Sequence, residues 1–303
     1  MEERMQSTIA VIGAGLMGSA LAEVLLRSGR PAVVWNRTPD KCGPLAEKGA
    51  TVASSAADAI AGSSTTVICI SSSGDVLDLV KGLPDDLDLS GRCLVNLSTG
   101  AAEEGRSIGE LVTARGGEYI DGTILVYPID VGTPNAVIQY AGANAAWTSA
   151  TDVLTVLAPE GTLYLGEDLD LPAVLDVALT GSTLGVGLAS FIEGAAYATS
   201  HGVELDTVVA GAIRILGVLQ NEIVKAAKEI AAGDFTTTQA TLDVWHHGIV
   251  EYRDAIVGQG QPAFIMNGLL AALADARNKG YAEYAYTGQF PAIHGVTATG
   301  TGA

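Results

Sequence analysis

Residues 8–18 read TIAVIGAGLMG, an apolar, β-branched run closing on Gly13, Gly15 and Gly18 at G-x-G-x-x-G spacing. SALAEVLLRSG (19–29) follows with apolar residues at helical period. Strand, glycine turn and helix in that order open a dinucleotide-binding unit. The three glycines serve different ends. Gly13 permits the tight turn, Gly15 leaves no Cβ between backbone and pyrophosphate, and Gly18 lets the helix pack on the strand. Leu16 and Met17 fall at the helix N-terminus, where free N–H groups and the helix dipole favour an anion. The motif alone also describes an ordinary glycine-rich turn. The second strand, PAVVWN at 31–36, arrives on schedule and selects the dinucleotide reading.

That strand ends as VVWNRTPDK (33–41). An NAD site places Asp or Glu roughly 20 residues after the glycines, where it accepts from the ribose 2′-OH and would repel a 2′-phosphate. Here position 36, which lies 23 residues after Gly13, is Asn. Arg37, Thr38 and Lys41 offer a guanidinium, a hydroxyl and an ammonium that can gather around a phosphate dianion. The implied cofactor is NADP(H). The competing reading, a solvated basic corner, sits poorly in a chain of 303 residues with a formal charge of −18.

The same composition, 48% hydrophobic with few aromatics, supplies two packed units and suits close-packed helices and parallel strands. No basic stripe points to nucleic acid, and the acidity favours a neutral or cationic small molecule. Cys42, Cys69 and Cys93 lack metal-ligand spacing and read as reduced structural thiols; no metal is expected. MEERMQST at the start has no apolar signal core, no uninterrupted run of 18 apolar residues reads as a membrane span, and the tail TATGTGA is expected to fray. A cytoplasmic location follows as the default expectation.

Further along, TTVICISSS (65–73), CLVNLSTG (93–100) and EYIDGTILVY (118–127) are apolar runs closed by small polar residues, with helical patterns between them. Repeated β-α units predict a doubly wound parallel sheet, a Rossmann domain, with ligands at the carboxyl ends of the strands. Ser71, Ser72 and Asn96 therefore fall where ribose or nicotinamide would lie; the serines read equally well as helix caps. VIQYAGAN (137–144) and TLYLGE (162–167) look like closing strands. From about Leu171 the pattern is helical: a first helix of roughly 28 residues, about 40 Å long, is too apolar on all sides for one small domain to bury. It reads as a connector sheathed by a second subunit. Further helices are predicted at 204–232, 236–258 and 262–280. The expected organisation is a cofactor domain (1–168), an interdomain helix (169–200) and an all-helical unit (201–303).

GAGLMGSALAEVLLRSG, VWNRT with Lys41, VNLSTG, YIDGTILVYPIDVGTPNAVI and the long helix with LDVAL resemble the NADPH-dependent imine reductases and reductive aminases, relatives of the β-hydroxyacid dehydrogenases. The resemblance covers roughly 8–198. It implies a homodimer that exchanges its C-terminal helices and holds its active site between subunits. The hydroxyacid relatives use a lysine on the long helix to protonate an alkoxide, whereas this chain has no lysine between Lys81 and Lys225. Its arginines from 82 to 224 are Arg92, Arg106, Arg115 and Arg214, few for a substrate carboxylate.

An iminium is already electrophilic and needs apolar walls, a placed hydride and at most one acid or anion. Asp176, within LDVAL, is that candidate: apolar surroundings would desolvate it and let it carry a proton near neutrality. The alternative is a first-turn acid that compensates the helix dipole. Similar family members often carry Tyr about two turns later, where this chain has Leu184. A hydroxyl of Tyr127, Tyr197 or Thr180, or solvent, then supplies the proton. The resemblance implies further pocket residues from the second subunit in the region of Trp245, His246 and His247, which by themselves read first as packing residues. A hydroxyacid or aldehyde reductase and a non-catalytic NADP-binding sensor stay open as alternatives.

Overall fold

The computed structural model describes residues 8–295; the expectations for the N-terminal segment and the tail lie outside them. The chain divides into two compact units between Ser182 and Thr183.

The first unit opens with β1 (Ile9–Ile12), α1 (Leu16–Arg27), β2 (Ala32–Trp35), α2 (Gly43–Glu47), β3 (Thr51–Val52) and α3 (Ala56–Ala61). It continues through β4 (Thr65–Ile68), α4 (Ser73–Lys81), β5 (Cys93–Asn96), α5 (Ala102–Ala114) and β6 (Glu118–Ile124). β7 (Ile138–Gly142), α6 (Asn144–Leu157), β8 (Thr162–Tyr164) and α7 (Leu171–Asp176) complete it. The eight strands form one sheet in the order β3-β2-β1-β4-β5-β6-β7-β8. β6 and β7 pair antiparallel while every other neighbouring pair is parallel, so the expected doubly wound parallel sheet is present and carries one antiparallel step. The connection between them, residues 125–137, holds a single 3-10 turn, Pro128–Asp130, and no crossover helix, whereas α6 supplies one for the parallel step from β7 to β8.

Side chains alternate across the sheet and build a core on each face. Ile9, Val11, Val67 and Val95 point toward a cluster with Leu21 and Leu25 of α1 and Leu154 and Leu157 of α6. Ile12, Ile68 and Leu94 point the other way, toward Ile60, Val76, Val80, Ile108 and Val112 of α3, α4 and α5. The chain order reverses on either side of β1, which is flanked by β2 and β4, so a crevice opens at the carboxyl ends of these three strands.

Helical structure runs from Leu171 to Ser200, but Val177–Gly185 is wound as a π-helix between α7 and α8 (Val186–Ser200). The second unit holds α8 together with α9 (Leu205–Ala232), α10 (Leu242–Gly258), α11 (Phe264–Ala276) and α12 (Gln289–His294). α10 starts later than its predicted bound, at the cap Thr241, whose hydroxyl accepts from the Val244 N–H at 3.3 Å. Leu242, Ile249, Leu273, Ala276 and Ala292 form this unit's small core. The carboxylate of Glu193 on α8 accepts from the N–H groups of Ile265 (2.9 Å) and Met266 (3.1 Å), capping α11. α9 has no buried residue at all. The stretches 171–200 and 205–232 are each long and apolar enough, by length and composition, to cross a membrane. Asp176 and Glu193 interrupt the first and Arg214 and Glu222 the second, so a search for unbroken apolar sequence does not find either.

Candidate active site

The glycine turn joins β1 to α1 under tight packing. Gly13 has φ +110°, and a Cβ there would stand 2.0 Å from the Cys69 carbonyl oxygen; one on Gly18 would stand 2.1 Å from the Gly13 carbonyl oxygen. Neither position admits a side chain without moving backbone. A Cβ on Gly15 would meet nothing within 4 Å. That open space belongs to a cavity of about 650 Å³ lined by Gly13, Gly15, Leu16, Met17 and Gly18 on one side. Gly15 provides no side-chain cap and the first turn of α1 carries no acid, so the N–H groups that a helix start leaves unpaired are available to an anion.

Across the cavity stand Trp35, Asn36, Arg37, Thr38 and Lys41. Asn36 Oδ1 accepts from the Ala14 N–H at 3.0 Å, and its Nδ2 donates to the Thr38 carbonyl at 2.9 Å. A neutral amide thus clamps the glycine turn to the corner that carries the exposed Arg37 and Lys41. The donor set suits a pyrophosphate at the helix start and a further phosphate at the basic corner. The third wall is Cys69, Ile70 and Ser71 from the end of β4, with Asp75, Asp78 and Leu79 of α4. Burial pushes the Cys69 thiol up to about 11, which keeps it protonated at neutral pH.

Two predicted cofactor contacts move elsewhere. Ser72 does not line the cavity; it is the N-cap of α4, its hydroxyl accepting from the Asp75 N–H at 3.1 Å. Asn96 is wholly buried, with Nδ2 donating to Ser73 Oγ and Asp121 Oδ1, both at 3.0 Å, and Oδ1 accepting from the Ser98 N–H. Its amide is used inside the protein: Asn96 stands level with Ile68, one position before Cys69, where the cavity lining begins. Trp35 and Ile70, each next to a predicted contact, and Cys69, one residue further from Ser71, carry no signal in the sequence that marks them as cavity residues. Asp75, Asp78 and Leu79 follow an i, i+3, i+4 pattern on one face of α4, which carries no motif.

The model for the NAD binding domain of 6-phosphogluconate dehydrogenase matches residues 8–166. An NADPH-dependent reductive aminase from Aspergillus oryzae is 30% identical over 251 residues, 81% of this chain and 83% of that protein. The structure of an imine reductase from Pseudomonas sp. superposes with a TM-score of 0.92 at 31% identity, covering 95% of this chain and all of that one. The chain belongs to the imine reductase and reductive aminase family. A reductive aminase from Aspergillus terreus, solved with NADPH4, cyclohexanone and allyl amine, superposes at a TM-score of 0.88 and 28% identity, covering 95% of this chain and 100% of the other.

In this imine reductase family member Asp176 is the last residue of α7, at the junction with the π-helical segment. It is therefore not a first-turn acid, and the helix-dipole alternative falls away. It is half-buried, and its neighbours Val174 and Val177 are exposed. Thr180 carries a buried hydroxyl with no hydrogen-bond partner. Because the segment is wound i to i+5, Leu184 does not keep the α-helical spacing from Asp176 that the resemblance assumes. Tyr127 is exposed at the start of the 3-10 turn after β6.

In the second unit Trp245 packs edge-on against Tyr286, with ring centroids 5.1 Å apart. His247 is exposed, its Nδ1 lying 3.3 Å from the Asp243 carboxylate and 2.9 Å from the Asp243 carbonyl. Arg277 bridges His246, at 3.2 Å, and Asp243, at 2.5 Å. Partial burial, with the nearby Arg277 and His247 charges, holds His246 below the usual imidazole range, the Asp243 charge opposing.

Proposed function

We propose that this chain reduces small-molecule imines to amines with hydride from NADPH, including imines formed from a carbonyl compound and an amine, and that it does so as a homodimer. One observation carries the reading: helix 171–200 offers Asp176 and no lysine. Glu193, the other acid on that helix, is committed to the α11 cap. A carbonyl reductase needs a proton at an alkoxide, which a lysine would supply; an iminium needs an anion or weak acid near nitrogen, which Asp176 supplies.

The arginines of the first unit beyond Lys81 argue the same way. Arg106 pairs with Asp170, Arg92 donates to the Ala61 carbonyl, and Arg115 donates to the Leu83 carbonyl. None of the three is left to bind a substrate carboxylate.

When bound, NADPH supplies the hydride. The residues suited to hold it are Gly13, Gly15, Leu16, Met17 and Gly18 for the pyrophosphate, and Asn36, Arg37, Thr38 and Lys41 for the 2′-phosphate. Ser71 lines the same cavity. Tyr127, Thr180, Leu184, Trp245 and His247 are the proposed substrate-pocket residues, with the last two given by the partner subunit. The dimer reading is supported by apolar side chains left bare along α9, among them Ile213, Ile215, Leu216, Val218 and Leu219. It takes the two apolar helices as subunit contacts. A reducing compartment such as the cytoplasm suits Cys42, Cys69 and Cys93, all free thiols.

The test is loss of reduced-nicotinamide absorbance with a cyclic imine, set against the corresponding ketone alone, in wild type and in Asp176→Ala and Arg37→Ala. Turnover of the imine, a kcat drop of about 10²-fold or more in Asp176→Ala at unchanged NADPH affinity, and a KM rise for NADPH in Arg37→Ala support the reading. NADPH binding without turnover of any imine overturns it in favour of a sensor.

A further inference from the structure

Asp121, within YIDGTIL, sits on β6 directly opposite Asn96 of β5 and is 6% exposed. Its Oδ1 accepts from the Tyr119 hydroxyl at 2.7 Å and from Asn96 Nδ2 at 3.0 Å. The bonds run on from there toward the cofactor cavity. Asn96 Nδ2 also donates to Ser73 Oγ, which itself donates to the Ser98 carbonyl at 2.9 Å. The Ser73 N–H donates to the Thr99 carbonyl at 2.9 Å, and the Ile70 N–H donates to Ser98 Oγ at 3.0 Å. Segment 70–73 is therefore held at both ends by the β5 turn, and Ile70 and Ser71 within it line the cavity.

A carboxylate can only accept hydrogen bonds. While ionised, Asp121 obliges Asn96 to turn its NH₂ group toward β6 and Ser73, which leaves the amide oxygen for the Ser98 N–H. A protonated acid would offer a competing donor and remove that constraint. We propose that Asp121, acting through Asn96, Ser73 and Ser98, is a positioning residue for the dinucleotide that fixes the cavity wall 70–73 in its ionised state. This rests on the cavity being the NADPH site.

The groups around Asp121 make the ionised state titratable in a working range. Burial is the main influence and pushes the carboxyl up to about 6, against the bonds from Tyr119 and Asn96, which lower it; the Asp170 charge adds to the rise. From α5, Gly105 packs on the carboxylate, Arg106 is paired with Asp170, and Glu104 accepts from the Ala101 N–H at 2.9 Å. On β7 the residue opposite Asp121 is Ala141, which brings no charge.

The test is calorimetric titration of NADP⁺ into wild type, Asp121→Asn and Asp121→Ala at about pH 7.5 and about pH 5.5, with thermal melts to confirm folding. The 2′-phosphate itself titrates near pH 6, but it does so equally in all three proteins, so the comparison isolates the side chain. Asparagine is neutral and carries a donor of its own, so it stands in for the protonated acid and is expected to bind more weakly than wild type at the higher pH. On acidification wild type is expected to lose up to about fourfold more affinity than Asp121→Asn and, by reciprocity, to release the correspondingly larger fraction of a proton on binding. Asp121→Ala is expected to bind more weakly at both pH values. Identical pH dependence in wild type and Asp121→Asn, or wild-type affinity in Asp121→Ala, overturns the proposal. A wild-type chain that binds no NADP⁺ overturns it together with the cofactor reading.

Discussion

The side-chain oxygen of Asn36 accepts a hydrogen bond from the backbone N–H of Ala14 at 3.0 Å, tying the end of β2 to the glycine turn after β1. The residue that keeps an acid out of the corner also holds its shape. Asn36→Asp keeps an acceptor for Ala14, loses the donor to the Thr38 carbonyl and places an anion where a 2′-phosphate would lie. The expected outcome is a fall in NADPH affinity of about tenfold or more with NADH affinity held or improved, read from KM for each cofactor.

Gly15 and Gly18 separate cofactor binding from folding. Gly18→Ala drives a methyl to 2.1 Å from the Gly13 carbonyl and should lower stability by several kcal/mol, on the order of severe overpacking. Gly15→Ala points into open space and should leave the melting temperature near wild type while NADPH binding is lost. Equal melting temperatures for the two variants would contradict this division.

Leu216 lies on α9 with 57% of its surface exposed. Leu216→Glu puts a charge into the face proposed to meet a second copy, and burying that charge unpaired costs several kcal/mol. Light scattering coupled to size exclusion is expected to show a wild-type dimer and a folded, monomeric or concentration-dependent variant. A variant that stays dimeric at micromolar concentration would remove α9 from the interface.

Asp121 also predicts a pH dependence of stability. Its carboxyl is raised to about 6 from an ordinary 3.8, so the native state binds this proton more readily than the unfolded state does. Stability contributed by the group is thus present below about pH 4 and lost as pH rises through about 6, a swing of roughly 3 kcal/mol. Denaturant unfolding should show Asp121→Asn gaining on wild type across that window and level above it; a constant difference would show that Asp121 does not titrate there.

The first two walls of the cofactor cavity were legible in the residues and their spacing. Gly13 is required by its positive φ, Gly18 by close approach to the Gly13 carbonyl and Gly15 by the space it leaves open, and Asn36, Arg37 and Lys41 follow at fixed distances along one β-α-β unit, so spacing suffices to read them. The apolar helices and the strands were legible for the same reason, since period is a local property. The tertiary structure alone decided what depends on depth and on winding. Asn96 and Ser71 have the same appearance at the ends of neighbouring strands, yet one is sealed into hydrogen bonds with Asp121 and the other lines the cavity, because their surroundings come from residues far apart in the chain. The reversal at β7 goes with a connection that folds as a 3-10 turn and no crossover helix, and the π winding of 177–185 shifted Leu184 off the face that an α-helical count assigns to it. Both are properties of how elements meet, which composition and period do not encode.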